Sequence, residues 1–251
     1  MNYITTLGYP DKQDFVDFWP ANIQVIGKDI LRFHAAVWPA MLIGLGLPLP
    51  KVLYVHGFIT NEGQKMSKSL GNVIDPLDVA EKYGLDAFRY YLYRHGPASE
   101  DVDFSWEKFD AAYNNELANE LGNALQRVAA MIIKYQGGAI GDLPDSKHDT
   151  ARYHDAIAEC RFDRALEVVW EQVRGVNQFI EEEKPWVIAK ENDSQHLQEV
   201  LAEAASSLLE IADLLEPFLP NTAEKIQYVF AEAVIRPLDD SSLFPKHQDI
   251  L

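Results

Sequence analysis

The feature that most constrains the fold is a change of hydrophobic pattern at Trp106. Before it, short strand-like apolar runs alternate with helical spacing; after it, only helical spacing recurs, interrupted by turn-forming pairs. Alternating strands and helices favour an α/β domain, whereas successive amphipathic helices are typical of a bundle. The sequence therefore predicts an α/β part followed by an all-α part. We expect the boundary near residues 105–117 and place the two domains at 1–111 and 112–251.

The first part begins with the pattern of a parallel βαβ unit. Residues 22–26 (NIQVI) indicate a short buried strand, and residues 51–59 (KVLYVHGFI) indicate a second. A helical period begins at Asp29 between them, and Pro39 is expected to kink that helix. Such an order predicts a right-handed crossover between parallel strands. At helical spacing, one face is shared by Ile26, Ile30, Phe33, Val37 and Met41.

Two further helices and a bundle are predicted after this unit. Residues 60–72 are predicted to be a loop, and Asp75 followed by Pro76 indicates a helix start. We expect helices on both sides of Gly84 and a polar connection over residues 95–105. In the second part, a bundle helix is predicted from apolar residues at spacings of three and four: Leu197, Leu201, Ala204, Leu208, Ile211 and Leu215.

A loop rich in lysine and serine is the clearest candidate for chemistry. Its sequence, GQKMSKSLGN over residues 63–72, places two lysines and two serines within five positions just past a predicted parallel strand. Ligands of open α/β sheets bind at the carboxyl ends of strands, where ammonium and hydroxyl groups stabilise phosphate charge. The spacing is not that of a P-loop. A solvated surface loop is the alternative interpretation.

Composition limits the other classes of protein. The formal charge is −17, which argues against a large surface for non-specific binding of nucleic acid. A local basic patch would nevertheless suffice for specific contacts. The single cysteine, Cys160, excludes an internal disulfide and a thiolate zinc cluster in this chain. No apolar run reaches the length of a membrane span, and no signal peptide is evident at the start. We expect a cytoplasmic protein with no membrane partner and no metal site in this chain.

The lysine-rich loop resembles the KMSKS signature of class I aminoacyl-tRNA synthetases. The resemblance implies a Rossmann-type catalytic domain that uses ATP with Mg²⁺ to activate an amino acid, after which the aminoacyl group moves to tRNA. It implies catalytic roles for Lys65, Ser67, Lys68 and Ser69, with Lys68 also binding ATP. The two lysines would stabilise the charge that builds on the leaving pyrophosphate in the transition state.

A second run of residues resembles the methionyl family in particular. The run is GKDILRFH over residues 27–34, continued by VWPAML over residues 37–42. The resemblance implies that Tyr3, Ile30 and His34 bind methionine. Ile30 and His34 are one helical turn apart, and an apolar wall with a polarisable imidazole suits a thioether. It also implies an ATP site containing Gly27, Asp29 and Ile59, in which the Asp29 carboxylate accepts ribose hydroxyls.

The helical part carries a third resemblance to the same family, over residues 114–127 (NNELANELGNALQR). It implies a helical anticodon-binding domain for tRNA(Met). Asn123 and Arg127 lie on one helix face, where an amide and a guanidinium can read the edges of unstacked bases. Trp186 corresponds to a tryptophan on which an anticodon base stacks. Without the resemblance, a solvated polar face and a core tryptophan are the simpler interpretations.

The family's pattern is not complete in this chain. The His-x-Gly-His motif and the cysteine-rich zinc knuckle do not occur, so zinc is expected only in a part of the catalytic domain outside this sequence. We therefore expect a fragment that is inactive alone in forming methionyl-adenylate. Two alternatives stay open: a class I synthetase for another amino acid, and a non-catalytic tRNA- or protein-binding relative. The oligomeric state cannot be predicted.

Overall fold

The chain forms two compact units that interleave along the sequence. The computed structural model describes residues 2–61, 63–66, 73–98, 100–144, 149–237 and 242–245. Unit 1 comprises Met1–Lys65 and Pro97–Asp103, and unit 2 comprises Met66–Gly96 and Phe104–Leu251. The predicted division at 111/112 does not coincide with these units, because the helices before residue 96 group with the helical part.

A parallel pair of strands organises unit 1, as predicted. Strand β1 (Ile23–Gly27) pairs with β2 (Val52–His56), from Ile23 opposite Val52 to Gly27 opposite His56. The connection between them contains a 3₁₀ turn (Lys28–Ile30), a π-helical segment (Phe33–Val37) and helix α3 (Trp38–Gly44). Pro39 lies in the first turn of α3, where a residue without an N–H group is tolerated. The helix is thus irregular before Pro39 and regular after it.

Four of the five residues predicted to share a helix face are exposed, whereas Ile26 is buried and lies in strand β1. Ile30, Phe33, Val37 and Met41 have exposed fractions of 43%, 44%, 47% and 37%. The buried side chains are instead His34, Trp38 and Leu42. Trp38 and Leu42 form a core with Ile4 and Trp19, packed against the short helices α1 (Asn2–Thr6) and α2 (Gln13–Phe18). Both stripes of the helix are apolar, and periodicity does not show which of two neighbouring stripes faces inward.

A second sheet in unit 1 was not predicted. Strand β3 (Ile59–Asn61) lies between β4 (Gln64–Lys65) and β5 (Val102–Phe104), and β3 and β4 are antiparallel. The predicted second strand therefore ends at His56, and the predicted loop and the 95–105 connection each contain strand residues. Two- and three-residue strands are too short to show a period of two.

Unit 2 begins with two helices placed as predicted. Helix α4 (Pro76–Tyr83) is capped at its N-terminus by Asp75, whose Oδ1 accepts the Leu77 N–H at 2.9 Å. Helix α5 (Leu85–His95) follows Gly84. The remaining helical elements are α6 (Trp106–Ala112), a π-helical segment (Tyr113–Gly122), α7 (Asn123–Gln136), α8 (Ala151–Ala158), α9 (Phe162–Glu183), α10 (Pro185–Glu191), α11 (Ser194–Leu215) and α12 (Pro220–Phe230).

The predicted bundle is confirmed in its central helix. All six stripe residues of α11 are buried, and α11 packs against α7, α9, α10 and α12. In the described residues beyond 120, the only β pairing is an isolated bridge between Ala139 and Val234. No helix in the described ranges is long and apolar enough to cross a membrane.

Candidate functional site

The three residues predicted to bind an amino-acid side chain lie together in unit 1. The Tyr3 hydroxyl lies 2.8 Å from His34 Nε2, and His34 Nδ1 lies 3.0 Å from the Ile30 carbonyl oxygen. His34 is 6% exposed, whereas Tyr3 and Ile30 keep 45% and 43% of their surface open. The Tyr3 ring also contacts the Trp38 ring, with centroids 5.7 Å apart. The buried imidazole is therefore held between the Tyr3 hydroxyl and the Ile30 backbone carbonyl.

These contacts fix the hydrogen-bonding character of the pair. A carbonyl oxygen only accepts, so Nδ1 of His34 carries a proton, and in the tautomer protonated only at Nδ1 the Nε2 atom is an acceptor. Tyr3 consequently donates its hydroxyl proton to Nε2. Neither group has a proton left for a ligand, and the pair presents aromatic edges and a phenol oxygen. Such a wall is suited to an apolar or thioether side chain rather than to a strong acceptor.

The carboxyl ends of the two parallel strands form the neighbouring part of this site. Gly27 and His56 are register partners there. A Cβ atom added to Gly27 would lie 2.8 Å from Asp29 Oδ1 and 3.7 Å from His56 Cε1, so a side chain at this position would displace the carboxylate. The structure thus places the Asp29 carboxylate against Gly27, and the roles of both residues in binding a nucleotide stay predictions. Sequence reasoning missed His56, although a histidine at the carboxyl end of a parallel strand is a usable signal.

A carboxylate from a distant segment ties the two strand ends together. Asp101 Oδ2 accepts a bond from Lys28 Nζ at 2.5 Å, and Oδ1 accepts the Phe58 N–H at 2.7 Å. The Lys28 ammonium hydrogen bond, followed by the Phe58 N–H, lowers the pKa of the Asp101 carboxyl. Ile59, the predicted adenine contact, begins β3 directly after Phe58. Lys28 and Asp101 were not predicted as site residues.

A second carboxylate holds the hairpin that leads into the lysine-rich loop. Asp103 Oδ1 accepts the Thr60 hydroxyl at 2.8 Å and the Gly63 N–H at 2.7 Å. Lys65 contributes its backbone to β4. Ser67, Lys68 and Ser69, together with the Lys65 side chain, lie outside the described residues, so their predicted catalytic roles stay predictions.

The three residues predicted to bind an anticodon lie on helices of unit 2 that contact each other. Asn123 and Arg127 are one turn apart on α7, and Trp186 is the second residue of α10. Trp186 is half-buried, unlike the core tryptophan Trp170, which is fully buried. Arg127 Nη2 donates to Glu181 Oε1 at 2.6 Å, with 36% and 61% of the two side chains exposed. Sequence reasoning missed Glu181.

A part-buried charged cluster lies elsewhere in unit 2, on α5, α9 and the π-helical segment before α7. Glu116 accepts hydrogen bonds from Tyr90, Arg94 and His95, while Arg94 also bonds Glu167. Burial opposes the charge of Glu116, but the bonds from His95 and Tyr90 and the nearby positive charges outweigh it and lower its pKa to about 2. Burial in turn raises the pKa of Tyr90. This cluster joins three helices and is structural in character.

The chain is similar to proteins of one family over most of its length. A family model described as tRNA synthetases class I (M) matches residues 1–129. The chain is 42% identical over 240 residues to the methionine–tRNA ligase of Caldanaerobacter subterraneus subsp. tengcongensis, covering 90% of this chain and 38% of that protein. It is 39% identical over 265 residues to the methionine–tRNA ligase of Bacillus subtilis (strain 168), covering 99% of this chain and 40% of that protein.

Solved structures agree with these sequence comparisons. The methionyl-tRNA synthetase of Mycobacterium tuberculosis bound by methionyl-adenylate is similar with a TM-score of 0.87 and 32% identity, over 97% of this chain and 54% of that one. The free form of the same enzyme is similar with a TM-score of 0.86 and 29% identity, over 99% of this chain and 54% of that one. The chain therefore spans about 40% of the length of the curated relatives.

Proposed function

This chain belongs to the family of tRNA synthetases class I (M), and we propose that it works in methionine activation and tRNA charging. In the proposed reaction, the methionine carboxylate attacks the α-phosphorus of ATP, pyrophosphate leaves and methionyl-adenylate forms. The methionyl group then moves to the 3′ end of tRNA(Met). The reaction serves protein synthesis, so we expect it to take place in the cytoplasm.

The observation that carries the proposal is the pairing of Tyr3 with His34 beside the Ile30 turn. Its aromatic, proton-poor surface suits a thioether, which is a weak acceptor. The carboxyl ends of β1 and β2, with Gly27 and Asp29, are the neighbouring place for a nucleotide, as in other open α/β sheets. Asp29 would accept the ribose hydroxyls, and Ile59 would lie under the adenine.

Lys65, Ser67, Lys68 and Ser69 would bind the phosphates that follow. In this role Lys68 stabilises the charge that develops on the leaving pyrophosphate, which lowers the barrier rather than strengthening ground-state binding. Magnesium would be bound by the phosphates of ATP. The described residues contain no group of three carboxylate, imidazole or thiolate side chains that could hold a metal ion.

The test is a fusion in which this whole chain replaces the aligned segment of the Bacillus subtilis relative, which matches 99% of it. We expect ATP–pyrophosphate exchange that depends on methionine. Exchange that depends instead on valine or isoleucine would favour a synthetase for another amino acid. Binding of tRNA without any exchange would favour a non-catalytic relative.

His34→Ala in the same fusion tests the amino-acid pocket. The KM for methionine should rise about 10-fold or more, because a buried hydrogen-bonded wall of the pocket is removed. The KM for ATP should stay within about twofold of the parent value. Ile43→Ala is the control, since Ile43 is 66% exposed on helix α3, in the same connection. An equal rise in both KM values would mean that the helix, and not the pocket, is damaged.

We also propose that unit 2 carries the anticodon site. The half-buried Trp186 would stack on one unpaired base, while Asn123 and Arg127 read base edges. Arg127 must then exchange or share its contact with Glu181, which the exposure of that ion pair allows at little cost.

A further inference from the structure

The segment that ends at Asp103 returns to unit 1 after the chain has formed two helices of unit 2. Residues 97–103 group with unit 1, although α4 and α5 before them belong to unit 2. Their backbone lies against the exit of β2: a Cβ on Gly57 would come within 2.2 Å of the Glu100 carbonyl oxygen. Val102 N–H donates to the Phe58 carbonyl oxygen at 2.9 Å. This approach requires glycine at position 57 and sets where the Asp101 carboxylate points.

Asp101 uses one oxygen for each of the two strand ends. Its Oδ1 accepts the backbone N–H of Phe58, the residue before Ile59. Its Oδ2 accepts Lys28 Nζ, and Lys28 lies between Gly27 and Asp29. The Lys28 ammonium also lies 4.9 Å from the centre of the Phe58 ring. One side chain thereby connects both segments that the proposed nucleotide site needs.

We infer that Asp101, with Lys28, is a positioning residue for the ATP site: it sets the distance between the Gly27–Asp29 turn and the start of β3. The inference rests on the proposed function. Asp103 has the corresponding role for the hairpin, because its Oδ1 bonds Thr60 and Gly63 on both sides of the β3–β4 turn. The contribution is to orientation rather than to stability. Lys28 and Asp101 keep 43% and 41% of their side chains exposed, and exposed ion pairs stabilise folds weakly.

The experiment uses Asp101→Asn, Lys28→Met and the double variant in the fusion that contains the whole chain. Asparagine keeps an acceptor for the Phe58 N–H and removes the charge that holds Lys28. Asp14→Asn, an exposed carboxylate of the same unit, is the matched control. The readouts are the KM values for ATP and for methionine in pyrophosphate exchange, the urea midpoint, and hydrogen exchange of the Phe58 amide in the 251-residue chain.

We expect each single variant to raise the KM for ATP about 10-fold, from the loss of one charge-assisted hydrogen bond. The KM for methionine and the urea midpoint should stay at control values. The double variant should be no worse than either single variant, because both remove the same contact. Asp101→Ala should in addition speed hydrogen exchange at Phe58.

Two results would overturn the inference. One is a KM for ATP in Asp101→Asn equal to that of the Asp14→Asn control. The other is a parallel rise in both KM values with a lower urea midpoint, which would assign Asp101 to folding. If the parent fusion is active and either result is found, the inference about Asp101 is wrong while the proposed function stands. A parent fusion without methionine-dependent exchange overturns the proposed function, and the inference with it.

Discussion

The two units differ in what they do with their apolar residues. In unit 2, the stripe of α11 is buried on the neighbouring helices, and Leu208 and Ile211 have no exposed surface. In unit 1, the stripe of the connection between β1 and β2 is exposed, with exposed fractions of 44% for Phe33 and 47% for Val37. The patterns are alike in sequence but differ in outcome. A hydrophobic stripe therefore indicates a surface suited to burial and does not identify what covers it.

The largest expected effect concerns where unit 2 begins. A fragment of residues 112–251 lacks α5, whose Tyr90 is fully buried and packs on Trp170 with ring centroids 4.4 Å apart. We expect it to be less stable than a fragment of residues 66–251 by at least about 5 kcal/mol, because loss of one buried aromatic side chain alone costs about 3–5 kcal/mol. Urea unfolding followed by circular dichroism measures the difference. Equal midpoints for the two fragments would support the division at 111/112.

In the loop that follows the hairpin of unit 1, charge should affect catalysis rather than stability. Lys68→Ala in the fusion should lower kcat for adenylate formation, because the lysine acts on charge in the transition state. The activation free energy should rise by about 2–4 kcal/mol. The KM for ATP should change less, and the urea midpoint should not move. Lys190→Ala on the surface of unit 2 is the control. An unchanged kcat would make the loop a solvated surface.

In unit 2, charge should matter for stability instead. The folded pKa of Glu116, about 2, lies below its ordinary value of 4.5. Its ionised form therefore stabilises the fold by about 3 kcal/mol, fully above about pH 4.5 and progressively less as pH falls through about 2. Glu116→Gln should lower the free energy of unfolding by a similar amount at pH 7. Urea titrations should show the gap to the parent protein narrowing below pH 4.5.

Glu107→Gln serves as the control for this prediction, because Glu107 is exposed in the first turn of α6 and should change stability by less than about 0.5 kcal/mol. A difference between Glu116→Gln and the parent that stays constant from pH 7 to pH 3 would contradict the assignment of the effect to the ionised carboxylate.

Local signals in the sequence were sufficient to predict the features that depend on residues close together in the chain. The Asp75 cap, the parallel strands and the buried stripe of α11 follow from spacing and residue type alone. The contact between Lys28 and Asp101 does not, because it joins residues 73 positions apart through a segment with no regular pattern. The inward turn of His34 and Trp38 could not be predicted either, since packing against α1 and α2 decides it. His34 was predicted as a site residue only through the family resemblance.

The smallest expected effect concerns the anticodon site. Trp186→Ala should weaken binding of a hairpin with a CAU anticodon by about 1–3 kcal/mol, the usual contribution of one base stacked on an aromatic ring. Binding of a hairpin with another anticodon should barely change, because it consists mainly of phosphate contacts and depends strongly on salt. Fluorescence titration of the chain with both hairpins measures the two affinities. The control is Val187→Ala, an exposed neighbour on α10.

The half-buried state of Trp186 is what makes this test informative. A core tryptophan such as Trp170 would unfold the bundle when truncated, and affinity for both hairpins would fall together. A stacking residue would lose affinity only for the cognate hairpin, since Trp186 is partly exposed while Pro185 and Ile188 of the same helix are buried. Equal losses with both hairpins would therefore place Trp186 in the packing of α10 and remove it from the proposed anticodon site.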